Sequence, residues 1–166
     1  MINLKKILIT TDLSEHSVAA FDHGFSLGLL YASKIYVMHV AEDAQPMFRL
    51  YGLDTVLRPE HHREIESAVE KLDQFIATHV GTERKVVPVV RAGVPEVEII
   101  RFAEEEGIDL IVLATHGWTG LRHILMGSVA EKVLRGSTVP VLTVKPIPMR
   151  EEIVSKEDIE QELHIR

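Results

Sequence analysis

The sequence predicts an α/β protein built on a single doubly wound, five-stranded parallel sheet with helices on both faces. Short runs of branched apolar residues, such as Leu110 to Leu113, are typical of strands buried on both faces. Longer segments with apolar residues at helical spacing alternate with these runs, which favours parallel strands joined by right-handed crossovers. A chain of 166 residues is long enough for one domain with a sizeable core.

The chain opens with two predicted strands, Ile7 to Ile9 and Ile35 to Val40, and a helix between them. The segment Asp12 to Glu15 carries residues that start helices. The apolar face of this helix is expected to comprise Val18, Ala19, Phe21, Phe25, Leu27, Leu29 and Leu30.

The next segment, Ala41 to Pro59, has no clear period and predicts a long loop. An amphipathic helix is predicted from Glu60 to Val80. Its apolar side is expected to contain Ile65, Ala68, Val69, Leu72, Phe75 and Ile76.

The second half continues the alternation. Val86 to Val90 predicts strand three, and Pro95 lies in the first turn of a helix. That helix carries Val97, Ile99, Ile100 and Ala103 on its apolar side. Strand four begins at Leu110. A helix is predicted from Val129 to Arg135 and closes at Gly136 as its C′ residue, and Val139 to Val144 predicts strand five.

Composition limits the functional classes. The net charge of −7 argues against nucleic acid as a partner, although one nucleotide needs only a local set of N–H donors. The chain has no cysteine, no apolar leader and no run of about 18 apolar residues, so we expect a soluble cytoplasmic protein with no membrane contact. Residues 1–148 are expected to form the domain, and 149–166 a charged tail that contains at most a short helix.

The segment from Asp109 to Pro146 is the richest in chemistry, because a strand, a glycine loop, a helix and a strand follow one another. Gly127 permits close backbone approach, and Ser128 places a hydroxyl at a helix start. The N–H groups of such a first turn carry about half a positive charge and favour an anion, most often phosphate. The alternative is that Gly117, Gly120 and Gly127 serve only turns and caps, and spacing alone favours neither interpretation.

Other site classes find less support. His61 and His62 with Glu64 and Glu66 match no strong metal-ligand spacing, so no metal site is predicted. The glycine signatures of P-loop, dinucleotide-binding and α/β-hydrolase proteins are absent. A phosphorelay receiver domain is set aside because no acceptor carboxylate follows strand three, and no catalytic residue is predicted.

The pattern Ala114-x2-Gly117-x9-Gly127-Ser128 resembles the ATP-binding signature of the universal stress protein family, Gly-x2-Gly-x9-Gly-Ser/Thr. Ala114 departs from it, since the signature has glycine there. Further similarity lies in the opening strand from Lys5 to Ser14, in Gly93-Val94-Pro95, and in the segment from Pro140 to Lys145.

This resemblance implies the strand order 3-2-1-4-5 and a site at the carboxyl ends of strands one and four. Asp12 would accept a hydrogen bond from a ribose hydroxyl, or act as a helix N-cap, or both. Val40 would meet adenine through its backbone, and Ser128 is either a phosphate ligand or a cap. The implied nucleotide-contacting residues are Thr10, Thr11, Asp12, Val40, Leu113, Ala114, His116, Gly117, Gly127, Ser128 and Val129.

The resemblance also implies a function: an ATP-binding stress sensor or regulator, with Mg²⁺ as an accompanying ion, that is not a dedicated catalyst. A homodimer through the strand 139–144 edge and an unidentified protein partner are implied as well. Two alternatives stay open. One is slow ATP hydrolysis or autophosphorylation, with Ser128 as acceptor, and the other is a nucleotide-free dimeric interaction module in which Ala114 closes the site.

Overall fold

Strands and helices alternate along the chain in the computed structural model, which describes residues 2–42, 59–80, 86–115 and 126–146. The strands are β1 (Lys6–Thr10), β2 (Lys34–Glu42), β3 (Val86–Gly93), β4 (Leu110–Ala114) and β5 (Val141–Val144). The helices are α1 (Glu15–Leu30), α2 (Pro59–Val80), α3 (Pro95–Glu106) and α4 (Ser128–Gly136).

The strands form one parallel sheet in the order β3-β2-β1-β4-β5, which confirms the predicted fold class and strand order. β1 is the central strand, and Ile7 lies opposite Ile35 of β2 on one side and Leu110 of β4 on the other. The chain winds outward from β1 through β2 to β3, then returns to the other side through β4. The direction of winding therefore switches between β1 and β4.

The side chains of β1 alternate between two halves of the core. Ile7 and Ile9 pack on one face of the sheet with α1 and α2, whereas Leu8 packs on the opposite face with α3 and α4. All three side chains are completely buried. The continuous apolar run of the first strand is therefore explained by burial on both faces.

Helix α1 approaches the sheet closely through small residues. Gly24 and Gly28 are four residues apart and both face the sheet. A Cβ atom at Gly24 would lie 2.7 Å from the Cγ1 atom of Ile9, and one at Gly28 would overlap the side chain of Ile35. Leu29 and Leu30, which are predicted on the apolar face, are instead 56% and 75% exposed. Because Gly24 and Gly28 face the sheet, these two leucines lie on other sides of the helix.

The other two predicted apolar faces are also narrower than expected. Ile65 and Val69 of α2 and Val97 of α3 are exposed. The buried side of α2 instead follows Ala68, Leu72 and Phe75 at four- and three-residue spacing, as a single helical stripe requires. The predicted loop from Ala41 to Pro59 is shortened, since its first two residues belong to β2 and its last to α2, while 43–58 lie outside the described residues.

The ends of α4 differ from the prediction. Gly136 is the last helical residue and not a left-handed C′ residue, and a Cβ atom there would lie 2.9 Å from the Cδ1 atom of Ile100. The small size of Gly136 thus allows α4 to contact α3 closely. A glycine with left-handed backbone does end a helix at Gly107, which follows α3. Strand β5 begins at Val141, two residues later than predicted, because the N–H and C=O groups of Val139 are both bonded to the Ser137 hydroxyl.

Within the described ranges, no helix is both long and apolar enough to cross a membrane. The predicted tail, 149–166, lies outside those ranges.

The close approach of α1 predicts that Gly28→Ala is destabilising. Alanine gains about 1 kcal/mol of helix propensity over glycine, but overpacking against Ile35 costs about 1–3 kcal/mol. We expect a net loss in the free energy of unfolding, measured by urea denaturation, with Asp22→Ala on the exposed side of α1 as control. A Gly28→Ala protein as stable as the wild type would show that α1 is not held this close to the sheet.

Candidate functional site

A cavity of about 530 Å³ opens at the carboxyl ends of β1, β2 and β4. Small-molecule sites typically measure about 300–1,000 Å³. The cavity lies where the winding direction switches between β1 and β4, the usual ligand position in an open parallel sheet. Its described lining residues are Thr10, Thr11, Asp12, Ser17, Met38, His39, Val40, Pro95, Ile99, Leu113, Ala114, Thr115, Gly127, Ser128, Val129 and Ala130.

Every predicted site residue within the described ranges lines this cavity, whereas His116 and Gly117 lie outside those ranges. Several lining residues were not predicted: Ser17, Met38, His39, Pro95, Ile99, Thr115 and Ala130. Met38 and His39 could have been inferred from their position just before Val40. Pro95 belongs to the family-like segment Gly93-Val94-Pro95 but was not assigned to the site. Ile99 had no local signal, because only the packing of α3 on the sheet brings it to the cavity.

The loop after β1 is held by the polar groups of Thr11. Its N–H donates to the carbonyl oxygen of Met38 at 2.9 Å, and its hydroxyl oxygen accepts from the N–H of Leu13 at 2.9 Å. The hydroxyl of Ser17 donates to the carbonyl oxygen of Ser14 at 2.7 Å. Since a hydroxyl has one proton, Thr11 is the donor in its 2.7 Å bond to Ser17. Thr11 therefore fastens the loop to β2 and to the first turn of α1.

Asp12 turns the chain into α1 without capping the helix. Its Oδ1 atom accepts hydrogen bonds from the N–H and the hydroxyl of Ser14, at 3.1 and 2.6 Å. This is an Asx turn, and Leu13 inside it has a φ of 66°. The N-cap of α1 is Ser14, so the carboxylate of Asp12 is left at the cavity wall.

His39 braces the same loop from β2. Its Nδ1 atom lies 3.0 Å from the carbonyl oxygen of Thr11. A carbonyl oxygen only accepts, so Nδ1 carries a proton and donates in this bond. The carbonyl groups of Met38 and Thr11 thus each receive a bond across the β1–β2 boundary.

The opposite part of the cavity is apolar. Met38, Val40, Ile99 and Leu113 line it and are all buried in the core on the α3 and α4 face of the sheet. Ala114 ends β4 in extended backbone, opposite Val144 of β5. Alanine at this position therefore causes no backbone strain, which removes the main structural objection to a ligand there.

The first turn of α4 forms the remaining wall. Gly127 is the N-cap, with φ −67° and ψ 152°, a conformation open to any residue, and Ser128 is the first helical residue. The N–H of Gly127 donates to the carbonyl oxygen of Thr115, and the carbonyl oxygen of Gly127 accepts from the N–H of Glu131 at 3.0 Å. The N–H groups of the first turn have no intrahelical acceptor, so they give this wall a partial positive charge.

An ion pair joins α4 to α3 beside the cavity. The Nζ atom of Lys132 lies 2.7 Å from the Oε1 atom of Glu96, which follows the lining residue Pro95. Burial acts most strongly on the pKa of Glu96 and raises it, but the hydrogen bond from Lys132, the backbone N–H of Glu96 and the charge of Lys132 together lower the pKa below 4.5. Within the described ranges, no group of three or more potential ligands is arranged to hold a metal ion.

These features define an open, doubly wound α/β protein with a ligand-sized cavity at its topological switch point. The chain belongs to the universal stress protein family, whose sequence pattern it matches over residues 3–145.

Two relatives come from Methanocaldococcus jannaschii. Universal stress protein MJ0577 is 34% identical over 154 residues, covering 85% of this chain and 94% of the relative. Universal stress protein MJ0531 is 36% identical over 146 residues, covering 85% and 82%. The solved structure of MJ0577 superposes with a TM-score of 0.70 at 32% identity, covering 86% of this chain and 96% of that one.

Two more distant structures share the fold. A universal stress protein solved in complex with cAMP has a TM-score of 0.56 at 20% identity and covers 86% of this chain and 97% of its own. One from Archaeoglobus fulgidus in complex with dAMP has a TM-score of 0.53 at 18% identity and covers 87% and 100%.

The ion pair between α3 and α4 predicts a pH-dependent effect of Lys132→Met. Because the folded-state pKa of Glu96 is lowered, the pair contributes stability above about pH 4.5, and this contribution is lost as the pH falls through the folded-state pKa. We expect the variant to unfold at lower urea concentration than the wild type at pH 7. The difference should shrink at acidic pH, and a difference that stays constant across the titration would contradict this assignment.

Proposed function

We propose that this protein binds ATP, with Mg²⁺ carried on the phosphates, and acts as a cytoplasmic regulator in the stress response. The observation that carries the proposal is the cavity at the β1–β4 switch, which has a carboxylate, an apolar wall and a helix N-terminus around one space of about 530 Å³. Adenine, ribose and phosphate need these three kinds of surface.

Each part of the ligand has a corresponding wall. Adenine would lie against the apolar residues Met38 and Ile99, beside the backbone of Val40. A ribose hydroxyl would donate to the carboxylate of Asp12. The phosphates would accept hydrogen bonds from the first turn of α4, at Ser128 and its neighbours.

The comparisons support the ligand class. Two proteins with this fold were solved with adenine nucleotides, cAMP and dAMP. Their identity to this chain is 20% and 18%, so they support a nucleotide through the shared fold. The family resemblance and the donors of α4 are our reasons for preferring ATP.

The regulatory role is preferred over dedicated catalysis. Phosphoryl transfer requires a group that positions a nucleophile against the γ-phosphate. Among the described lining residues, the Thr11 hydroxyl and the Nδ1 atom of His39 are engaged in holding the loop after β1. Extended backbone at Ala114 also weakens the case for a closed, nucleotide-free module.

Nucleotide binding predicts a thermal shift. At about 100 times its dissociation constant, a ligand adds about 2.7 kcal/mol, which should raise the melting temperature of a domain this size by about 5–10 °C. We expect this rise with millimolar Mg-ATP and its loss in Gly127→Val, where a branched side chain would narrow the approach to α4.

Asp12→Ala should reduce the same shift, and Asp73→Ala, which removes an exposed carboxylate on α2, should not. An unchanged melting temperature in millimolar Mg-ATP would refute ATP binding. A shift that survives both Gly127→Val and Asp12→Ala would place the nucleotide elsewhere.

We also propose that two subunits pair through β5. This strand lies at the edge of the sheet, and an unpaired edge favours addition of another strand. The carbonyl groups of Pro140 and Val144 accept bonds from the N–H groups of Ile111 in β4 and of Thr115 just after it. Because successive residues of a strand alternate in direction, the N–H of Thr143 points away from β4 and toward the outer edge of the described sheet.

Thr143→Pro removes that outward N–H and leaves the residues bonded to β4 unchanged. We expect light scattering at micromolar concentration to give twice the chain mass of 18.7 kDa for the wild type and a shift toward one chain mass for the variant. Thr143→Val is the matched control, because it changes the same side chain and retains the backbone N–H. A monomeric wild-type mass would overturn the dimer.

A further inference from the structure

The described part of the cavity has a polar wall but little fixed positive charge. Among its described lining residues none is lysine or arginine, and Asp12 is a carboxylate. The N–H groups of α4 can bind one phosphate, but a nucleotide with several phosphates brings further negative charge to the same place. A cation close to α4 would therefore increase the affinity for nucleotides that carry more phosphates.

Lys132 is positioned to supply that cation. It lies four residues after Ser128, about 6 Å further along the axis of α4. Helical side chains point back toward the N-terminus, so a long side chain at this position covers the turn before it. Lys132 bonds Glu96 at the first turn of α3, and both first turns line the cavity.

The two partners are unequally held. The Glu96 side chain is 15% exposed, and its carboxylate interacts with its own backbone N–H as well as with Lys132. The Lys132 side chain is 59% exposed. Because Lys132 is the exposed partner and Glu96 keeps its own backbone N–H, the ammonium group of Lys132 is the one that can turn to another anion.

We propose that Lys132 is a phosphate-binding, specificity-determining side chain of this site. Glu96 pairs with its ammonium group until a phosphate-bearing nucleotide enters. This inference rests on the proposed nucleotide binding and deepens it. Glu96 and the phosphates compete for one ammonium group. Removing Lys132 therefore weakens phosphate binding, whereas neutralising Glu96 strengthens it.

The test is calorimetric titration of the full chain with adenosine, AMP and Mg-ATP, in the wild type, Lys132→Met, Glu96→Gln and the double variant. Lys132→Met should bind Mg-ATP about three- to five-fold more weakly, and Glu96→Gln more tightly by a similar factor. The double variant should behave as Lys132→Met does. Adenosine affinity should be the same in all four proteins, since adenosine has no phosphate.

Arg135→Met is the matched control. Arg135 is on the same helix, is 80% exposed and pairs with Glu131 at 3.1 Å, so its removal changes the net charge equally. Its Mg-ATP affinity should follow the wild type. In high salt the differences among the variants should diminish, because screening weakens exposed charges.

Two results would overturn the proposal. If Lys132→Met and Glu96→Gln both weaken adenosine and Mg-ATP alike, the ion pair is a structural link between α3 and α4. If Mg-ATP affinity does not change in either variant, Lys132 does not reach the phosphates. Failure of the proposed function gives a different pattern, in which the wild type binds none of the three probes.

Discussion

The burial of β1 between two parallel neighbours is the constraint on which the rest of the structure depends. Ile7, Leu8 and Ile9 are completely buried and alternate between the two faces, so helices must cover both. The chain can cover both only by winding outward from β1 in one direction and returning for the other. This reversal leaves a crevice above the carboxyl ends of β1 and β4. The cavity therefore arises from the same topology that buries the core.

Hydrogen bonds then give the crevice a defined shape. Thr11 is bonded to β2 through its N–H, to α1 through its hydroxyl, and to His39 through its carbonyl oxygen. Asp12 closes the turn by accepting two bonds from Ser14. A loop whose polar groups are bonded within the protein presents its carboxylate in one place before any ligand arrives, and such preorganisation lowers the entropy cost of binding.

The described part of the site combines a helix dipole with a neighbouring ion pair, in a chain with net charge −7. The first turn of α4 supplies partial positive charge without a basic side chain. The pairing of Glu96 with Lys132 keeps a full charge nearby but neutralised. In the proposed function, such a site would respond to the number of phosphates on its ligand.

The sequence by itself determined which segments form strands and helices and the order of these elements along the chain. Apolar runs such as the one at Leu110 predict buried strands, and Gly127-Ser128 predicts a helix start. Both signals are local and do not depend on tertiary contacts. Tertiary structure decided which face of α1 is buried, because the close approach at Gly28 depends on Ile35 of the adjacent strand.

Tertiary structure also decided how the walls of the cavity meet. Pro95 lines it, and Glu96 meets Lys132 across 36 residues of sequence. Local sequence patterns carry no information about such distances, since the separation of two helices is set by how their side chains pack on a common sheet. Periodicity therefore determines what each segment becomes, and packing determines which segments share a site.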